Sequence, residues 1–324
     1  MKLFPESAAV QLEFDKIKAL LVEYARCDYA KSRAVDLRIH TRREFIELEL
    51  HQSSEYMQIL RTGLYFPNDL VLNLARELKL LGIQGAILRE EQLVDIRKLA
   101  ETMKNIFRWF DSERKLAYPA LTKLIDDLHF EKQILLLINE VLDEQGMVKD
   151  NASEELARIR MSLYRKRNEL RRVFDKVLSK WNKAGYVADI EEAFLNGRRV
   201  VAIHAEYKRQ VKGILLGESD TRKTSFIEPE ETFALNNELL TLENDERYEV
   251  HKILRELTAK LSVHAGLLNS YHSILGEYDF ICAKAKLGIA MNGSNPELHD
   301  KAHLNLVQAC HPLLYLYNQK NGKP

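Results

Sequence analysis

The sequence predicts a mainly α-helical protein: a helical core, then two long antiparallel helices carrying a small antiparallel β tip. Three observations predict it. Only 13 Gly and 7 Pro punctuate 324 residues, so long helices run with little interruption. Charge reverses sign along the chain: residues 158–183 carry ten Lys/Arg against two acids, and residues 228–249 carry eight acids against one Arg. Between these blocks, at about 186–228, the apolar period shifts from the helical repeat towards two. The expected organisation is a core over residues 1–150, long helices over 151–290 with the β tip between them, and a connector over 291–324.

The core reads as six or seven helices. Apolar residues from Leu12 to Leu21 recur three and four apart, giving a helix to about Tyr24, and a second follows from Tyr29 to Leu37. Thr41 with Glu44 three residues on has capping-box form and opens a helix that runs to about Arg61, before Gly63. Pro67-Asn68-Asp69 marks the next start, Leu88 to Glu113 forms another helix, and residues 120–143 supply one or two more. His40, His51 and His129 are isolated in this block and read as surface or capping residues.

Ser153 with Glu155 opens the basic helix, whose apolar stripe is Ile159, Leu163, Leu170, Phe174, Val177 and Trp181. Gly185 closes it as a C-cap. Val200–Ile203, Val211–Leu216 and Ser225–Ile227 read as strands, and Asn196-Gly197 is a hairpin turn signal. Pro229 then starts an acidic helix with a heptad seam: Leu254, Leu261, Leu268 and Leu275 at one position, and Val250, Leu257, His264, Tyr271 and Tyr278 at the other. Run unbroken to about Ile289, this helix would be a lever of roughly 88 Å. Gly293 to Pro296 breaks it, and the remaining tail reads as irregular.

Setting Ala184 opposite Glu230 places Lys183 near Glu231, Lys176 near Glu238, Arg171 near Glu243 and Arg165 near Glu249. Most of the helical charge then pairs internally, each exposed pair contributing only about 0.2–1 kcal/mol. The β segment is different. Arg198, Arg199, Lys208, Arg209 and Lys212 face Glu206 alone, with Tyr207 interleaved, and Arg222 and Lys223 add charge nearby. Basic residues with an interleaved aromatic suit phosphate and base contact, although surface strands also carry Lys and Arg to discourage edge pairing.

Chemistry-bearing motifs are few. The chain balances 48 basic against 48 acidic residues, so no global field points to nucleic acid or an anionic membrane. Cys27, Cys282 and Cys310 are too scattered for a disulfide or zinc framework by spacing, which suits a reducing cytosol. No apolar run reaches the roughly 20 residues a membrane span needs, so a cytoplasmic, membrane-free location is expected. There is no P-loop, no G-x-S-x-G, no H-E-x-x-H and no C-x-x-C. His299 and His303 are four apart, but Pro296 to Lys301 reads as a loop. No catalytic residue, metal site or cofactor site is expected within the chain.

Ala205-Glu206-Tyr207, Val211-Lys212-Gly213-Ile214, Phe226-Ile227-Glu228-Pro229 and Leu235-Asn236-Asn237-Glu238-Leu239 together resemble the lever and clamp region of the bacterial MutS-two family. Leu12 to Ile17, Asp279 to Ala285 and His311-Pro312-Leu313-Leu314 are similar to three further stretches of that family. The resemblance implies a lever and clamp module from a homodimeric DNA-dependent ATPase. The ATPase domain, using ATP and Mg, and a nuclease-type Smr domain would lie beyond Pro324. It also implies a partner: branched DNA, in suppressing homologous recombination, or stalled ribosomes and their rRNA. A helical scaffold or dimerisation module without nucleic-acid contact is the alternative. One position departs from the family pattern, since Arg222 stands where relatives carry glycine.

Overall fold

The computed structural model describes residues 7–69, 73–299 and 303–322. Its helices, in chain order, are α1 (Ala8–Gln11), α2 (Phe14–Tyr24), α3 (Asp28–Val35), α4 (Arg43–Thr62), α5 (Ala75–Leu81), α6 (Glu90–Trp109), α7 (Ser112–Ala117), α8 (Pro119–Thr122), α9 (Lys132–Val141), α10 (Glu154–Lys183), α11 (Glu230–Ser262), α12 (Ala265–Ala290) and α13 (Pro312–Lys320). Between α10 and α11 lie β1 (Val187–Leu195), β2 (Arg198–His204), β3 (Gly213–Glu218) and β4 (Thr224–Pro229). The mainly helical fold with a small antiparallel sheet is as the sequence predicts. The contacts divide the chain into two compact units, residues 1–139 with 258–324, and residues 140–257.

In the first unit, small side chains bring α2 and α3 against α12. Ala25, Ala30 and Ala34 pack with Leu21, Phe280, Ala283 and Leu287, and an alanine face lets helix axes approach closely while long apolar side chains fill the flanks. The buried carboxylate of Asp279 fixes the corner between α2 and α3. It accepts from the backbone N–H groups of Arg26 and Cys27 at 2.8 Å each and from Arg26 Nε at 2.9 Å. These are donors that the end of one helix and the start of the next leave without helical partners. The run from Asp279 to Ala285 is thus a packing element.

Most of the heptad seam is buried, with Leu261, Leu268, Tyr271 and Tyr278 fully enclosed and Val250 and His264 half-buried. Its aromatic members also tie down loops: Tyr271 Oη donates to His129 O and accepts from Glu131 N–H, and Tyr278 Oη donates to Leu121 O. The single helix expected to Ile289 is corrected. α11 ends at Ser262 and α12 starts at Ala265, with Val263 and His264 forming a turn closed by the 2.9 Å bond from His264 N–H to Leu261 O. Ser262 Oγ bonds back to Ala259 O at 2.7 Å, and a back-bonded serine followed by a β-branched residue weakens the helical ladder. Gly266 and Gly276 both lie inside α12.

Several boundaries are corrected too. The N-cap of α4 is Arg42, with no side-chain bond, so Thr41 does not close a capping box. The helix expected over Leu88–Glu113 is α6 followed by the separate α7, where Asp111 caps by accepting from Arg114 N–H. The tail is not wholly irregular. Pro312, preset at φ for a first helical position, opens α13. Asp300 and Lys301 of the expected loop lie outside the described residues.

In the second unit, α10 begins where Ser153 Oγ accepts from Leu156 N–H at 3.0 Å while donating to Glu249 Oε1 at 2.9 Å. It ends in a Schellman motif, with Tyr186 N–H on Trp181 O, Gly185 N–H on Asn182 O, and Gly185 at φ 75°. All strand pairs are antiparallel, in the order β1-β2-β4-β3. Asn196 and Gly197, at φ 51° and 76°, make the β1–β2 turn, both residues left-handed as a type I′ hairpin requires.

The interhelical register expected from charge is corrected. Arg160 pairs with Glu246 at 2.7 Å, Lys166 with Glu238 at 2.7 Å and Arg167 with Glu243 at 3.0 Å. Lys183–Glu231, Lys176–Glu238, Arg171–Glu243 and Arg165–Glu249 do not form. The reason is that the sheet occupies one end of the helix pair. Phe174, Val177 and Trp181 pack on Val201, Ile203 and Ile227 of the sheet, so only the earlier part of α10, through Ile159, Leu163 and Leu170, reaches Leu235 and Leu239 of α11.

Candidate nucleic-acid interface

The eight predicted contact residues separate by what holds them. Arg198 starts β2 and points inward. Its Nη1 donates to both carboxylate oxygens of Glu228 at 2.8 Å, its Nη2 donates to Asn237 Oδ1 at 2.5 Å, and its guanidinium lies 5.4 Å from the Phe233 ring centre. Glu228 is 1 % exposed and takes a third bond from Asn236 Nδ2. A buried carboxylate is retained in such a site only when charge and hydrogen bonds both compensate it. The Phe-Ile-Glu-Pro and Leu-Asn-Asn-Glu-Leu segments, separate in sequence, therefore meet through this network. Arg199 is likewise engaged, donating to Glu192 Oε2 at 2.9 and 2.5 Å, lying 3.5 Å from Asp175, and resting 4.2 Å above the Phe174 ring.

The remaining six lie on two connections. The segment 198–212 is not one basic strand: β2 ends at His204, and a 3-10 turn, Ala205–Tyr207, begins the crossover to β3. Lys208, Arg209 and Lys212 are exposed on that crossover, and Arg222 and Lys223 on the β3–β4 turn. The two connections touch. Ala205 N–H donates to Lys223 O at 2.9 Å, and Lys208 Nζ reaches Glu218 Oε1 at 2.8 Å. Lys208, with a smaller contribution from Arg222, holds the Glu218 carboxyl below its usual range. Arg209, Lys212, Arg222 and Lys223 have no ion-pair partner among the described residues. Tyr207 is half-buried, its ring 5.0 Å from Tyr186 and 6.4 Å from His204, and the neighbouring Glu206 charge pushes its phenol pKa up.

The β3–β4 turn explains the departure at position 222. Arg222 has φ 55° and closes the turn by donating its N–H to Ser219 O at 2.8 Å, while Ser219 Oγ accepts from Thr224 N–H at 3.1 Å. A left-handed residue is needed here, which glycine supplies without steric cost. Arginine adopts the same conformation and adds a cation. Sequence reasoning missed a second set of free cations, on α10: Arg165, Lys176, Lys180 and Lys183 are exposed and unpaired among the described residues. Their spacing was visible, but the assumed register assigned acidic partners to Arg165, Lys176 and Lys183.

Among the described residues no group of three or more His, Cys, Asp or Glu could hold a metal, and no helix is long and apolar enough to cross a membrane. His299 and His303 lie with ring centres 6.2 Å apart, without an acid or thiol completing a set. What the fold offers is a sheet whose buried Arg198–Glu228 pair is hydrogen-bonded to Asn236 and Asn237 of α11, and which presents cationic loops. That combination defines a mainly helical module bearing a small antiparallel sheet.

No family model matches the chain. It is 33% identical over 308 residues to a protein of Listeria welshimeri named Endonuclease MutS2, covering 94% of this chain and 39% of that protein. To the protein of the same name from Aquifex aeolicus it is 30% identical over 315 residues, 97% of this chain and 40% of the relative, and to that of a Geobacillus strain 28% over 305 residues. The chain belongs to the MutS2 family, and it spans about two fifths of the length of these curated relatives.

Proposed function

We propose that this chain is the lever and clamp module of a MutS2-type, DNA-binding ATPase, and that it meets branched DNA through the two connections at the edge of its sheet. The observation that carries the reading is the set of unpaired cations Arg209, Lys212, Arg222 and Lys223 on loops joined to one another. Lys208 stands beside them, and Tyr207 offers a ring for stacking. Arg198 and Arg199 serve this surface indirectly, by fixing the sheet that presents it. In the whole protein, an ATPase domain using ATP and Mg drives the module in a cytoplasmic homodimer, and recombination is restrained by occupying branched intermediates.

The test is fluorescence anisotropy of a labelled four-way junction with the full chain between 25 and 200 mM salt. The proposal expects binding at low salt that weakens steeply as salt rises. Reversing Arg209, Lys212, Arg222 and Lys223 to Glu should abolish it while circular dichroism is retained. Binding unaffected by that reversal would sink the clamp reading. A preference for ribosomes over the junction, lost in the same variant, would transfer the surface to rRNA.

A further inference from the structure

We infer that α10 carries a second nucleic-acid surface, a cationic stripe along which a DNA backbone lies, distinct from the loops at the sheet. The inference builds on the proposed DNA-binding role and extends it to the helix. At 100° per residue, Arg165, Arg172, Lys176, Lys180 and Lys183 fall within an arc of about 80° on one face of α10. That face is opposite the stripe of Leu163, Leu170, Phe174, Val177 and Trp181 that packs on α11 and the sheet. All five are exposed. None forms an ion pair among the described residues, and Arg172 makes only a long bond, 3.4 Å, to Asn168 O. The acid within the arc, Glu169, is held by Lys166 at 3.1 Å, and Asp175, about 60° beyond its edge, is shared by Arg171 and Arg199.

The reason for the free charge is structural. The sheet fills the place beside the last turns of α10 that α11 would otherwise occupy, so the acids of α11 meet Arg160, Lys166 and Arg167 instead. Five like charges over about 27 Å of helix repel one another and weaken the helix they sit on. An external polyanion removes that repulsion. One DNA strand carries a charge about every 3.4 Å, so each of these long, flexible side chains finds a phosphate without a sequence requirement. Charge complementarity therefore points to the sugar-phosphate backbone as the occupant.

Two quadruple variants separate the surfaces. In the stripe variant Arg165, Lys176, Lys180 and Lys183 are changed to Gln, a good helix former; in the loop variant Arg209, Lys212, Arg222 and Lys223 are changed to Gln. Each is titrated with a labelled four-way junction over a salt series, with circular dichroism and sedimentation run in parallel. The inference expects the stripe variant to stay folded and to lose about 3 from the magnitude of the log–log salt slope, with at least tenfold weaker binding at 100 mM salt. Wild-type slope and affinity in the stripe variant would overturn it, and loss of binding in the loop variant alone would then leave the proposed function standing. The converse result, a reduced slope in the stripe variant with the loop variant unaffected, would keep the stripe and sink the loops. Loss of self-association with DNA binding unchanged would assign the stripe to the acidic helix of a second copy and overturn the inference. Absence of junction binding by the wild-type chain at low salt would overturn both.

Discussion

Replacing Arg198 by Met tests whether this arginine holds the sheet or touches a ligand. The substitution keeps the aliphatic stem and removes the guanidinium, which leaves the Glu228 carboxylate, 1 % exposed, with Asn236 Nδ2 as its remaining side-chain donor. Breaking a buried pair by deleting one partner costs about 3–5 kcal/mol. The Arg198 side chain retains 22 % exposure, so water reaches part of the site and the lower end, about 3 kcal/mol, is expected. Trp181 reports on it directly, because it packs beneath the sheet with Val201, Ile203 and Ile227. In a Trp109→Phe background it is the sole tryptophan, so urea unfolding followed by its fluorescence reads the second unit alone. Changing Glu228 to Gln in the same chain should recover part of the loss by removing the uncompensated charge, giving a coupling between the two positions of more than about 1 kcal/mol. A cost below about 1 kcal/mol for Arg198→Met, with additive effects, would refute the assignment.

Four further outcomes are expected. Gly266→Ala should stabilise the first unit by about 0.5–1 kcal/mol, since a Cβ there meets nothing and helix propensity improves. Gly276→Ala should destabilise by about 1–3 kcal/mol, because its Cβ would lie 2.5 Å from Tyr29 Cγ; thermal melts of both variants make the contrast. Arg222→Gly should stabilise the sheet by up to about 1 kcal/mol through relief of a left-handed arginine, while reducing DNA affinity at low salt, read from the Trp181 transition and from anisotropy. In thiol titration at pH 8, Cys310 should react first because it is exposed. Cys27, whose pKa burial pushes up to about 11, and Cys282, also raised by burial, should react slowly until the chain is unfolded.

Local signals carried most of the fold. Ser153, Gly185 and Asn196-Gly197 act within a few residues of themselves, so the cap, the Schellman motif and the hairpin were legible. The seam from Leu254 to Tyr278 was also legible as a buried stripe. Its interruption at Val263–His264 was not, because the heptad phase passes through the turn with Leu261 and Leu268 both buried. The register of α10 against α11 was hidden for a different reason: charge pattern alone cannot say that a sheet will take the place of the last helical turns. The same limit applies to the site. Arg198 and Lys212 look alike as sequence, but one meets Glu228 and Asn237 across strands and helix, and the other meets solvent.

The division of the chain also has a consequence for synthesis. Residues 140–257 form one uninterrupted unit, inserted between the two sequence segments of the other. The apolar faces of α2 and α3 are covered by Phe280, Ala283 and Leu287, which leave the ribosome only after the whole insertion has emerged. The later-encoded unit can therefore complete its fold first, while the earliest helices wait exposed, and chaperone dependence should concentrate on the first hundred or so residues rather than on the sheet.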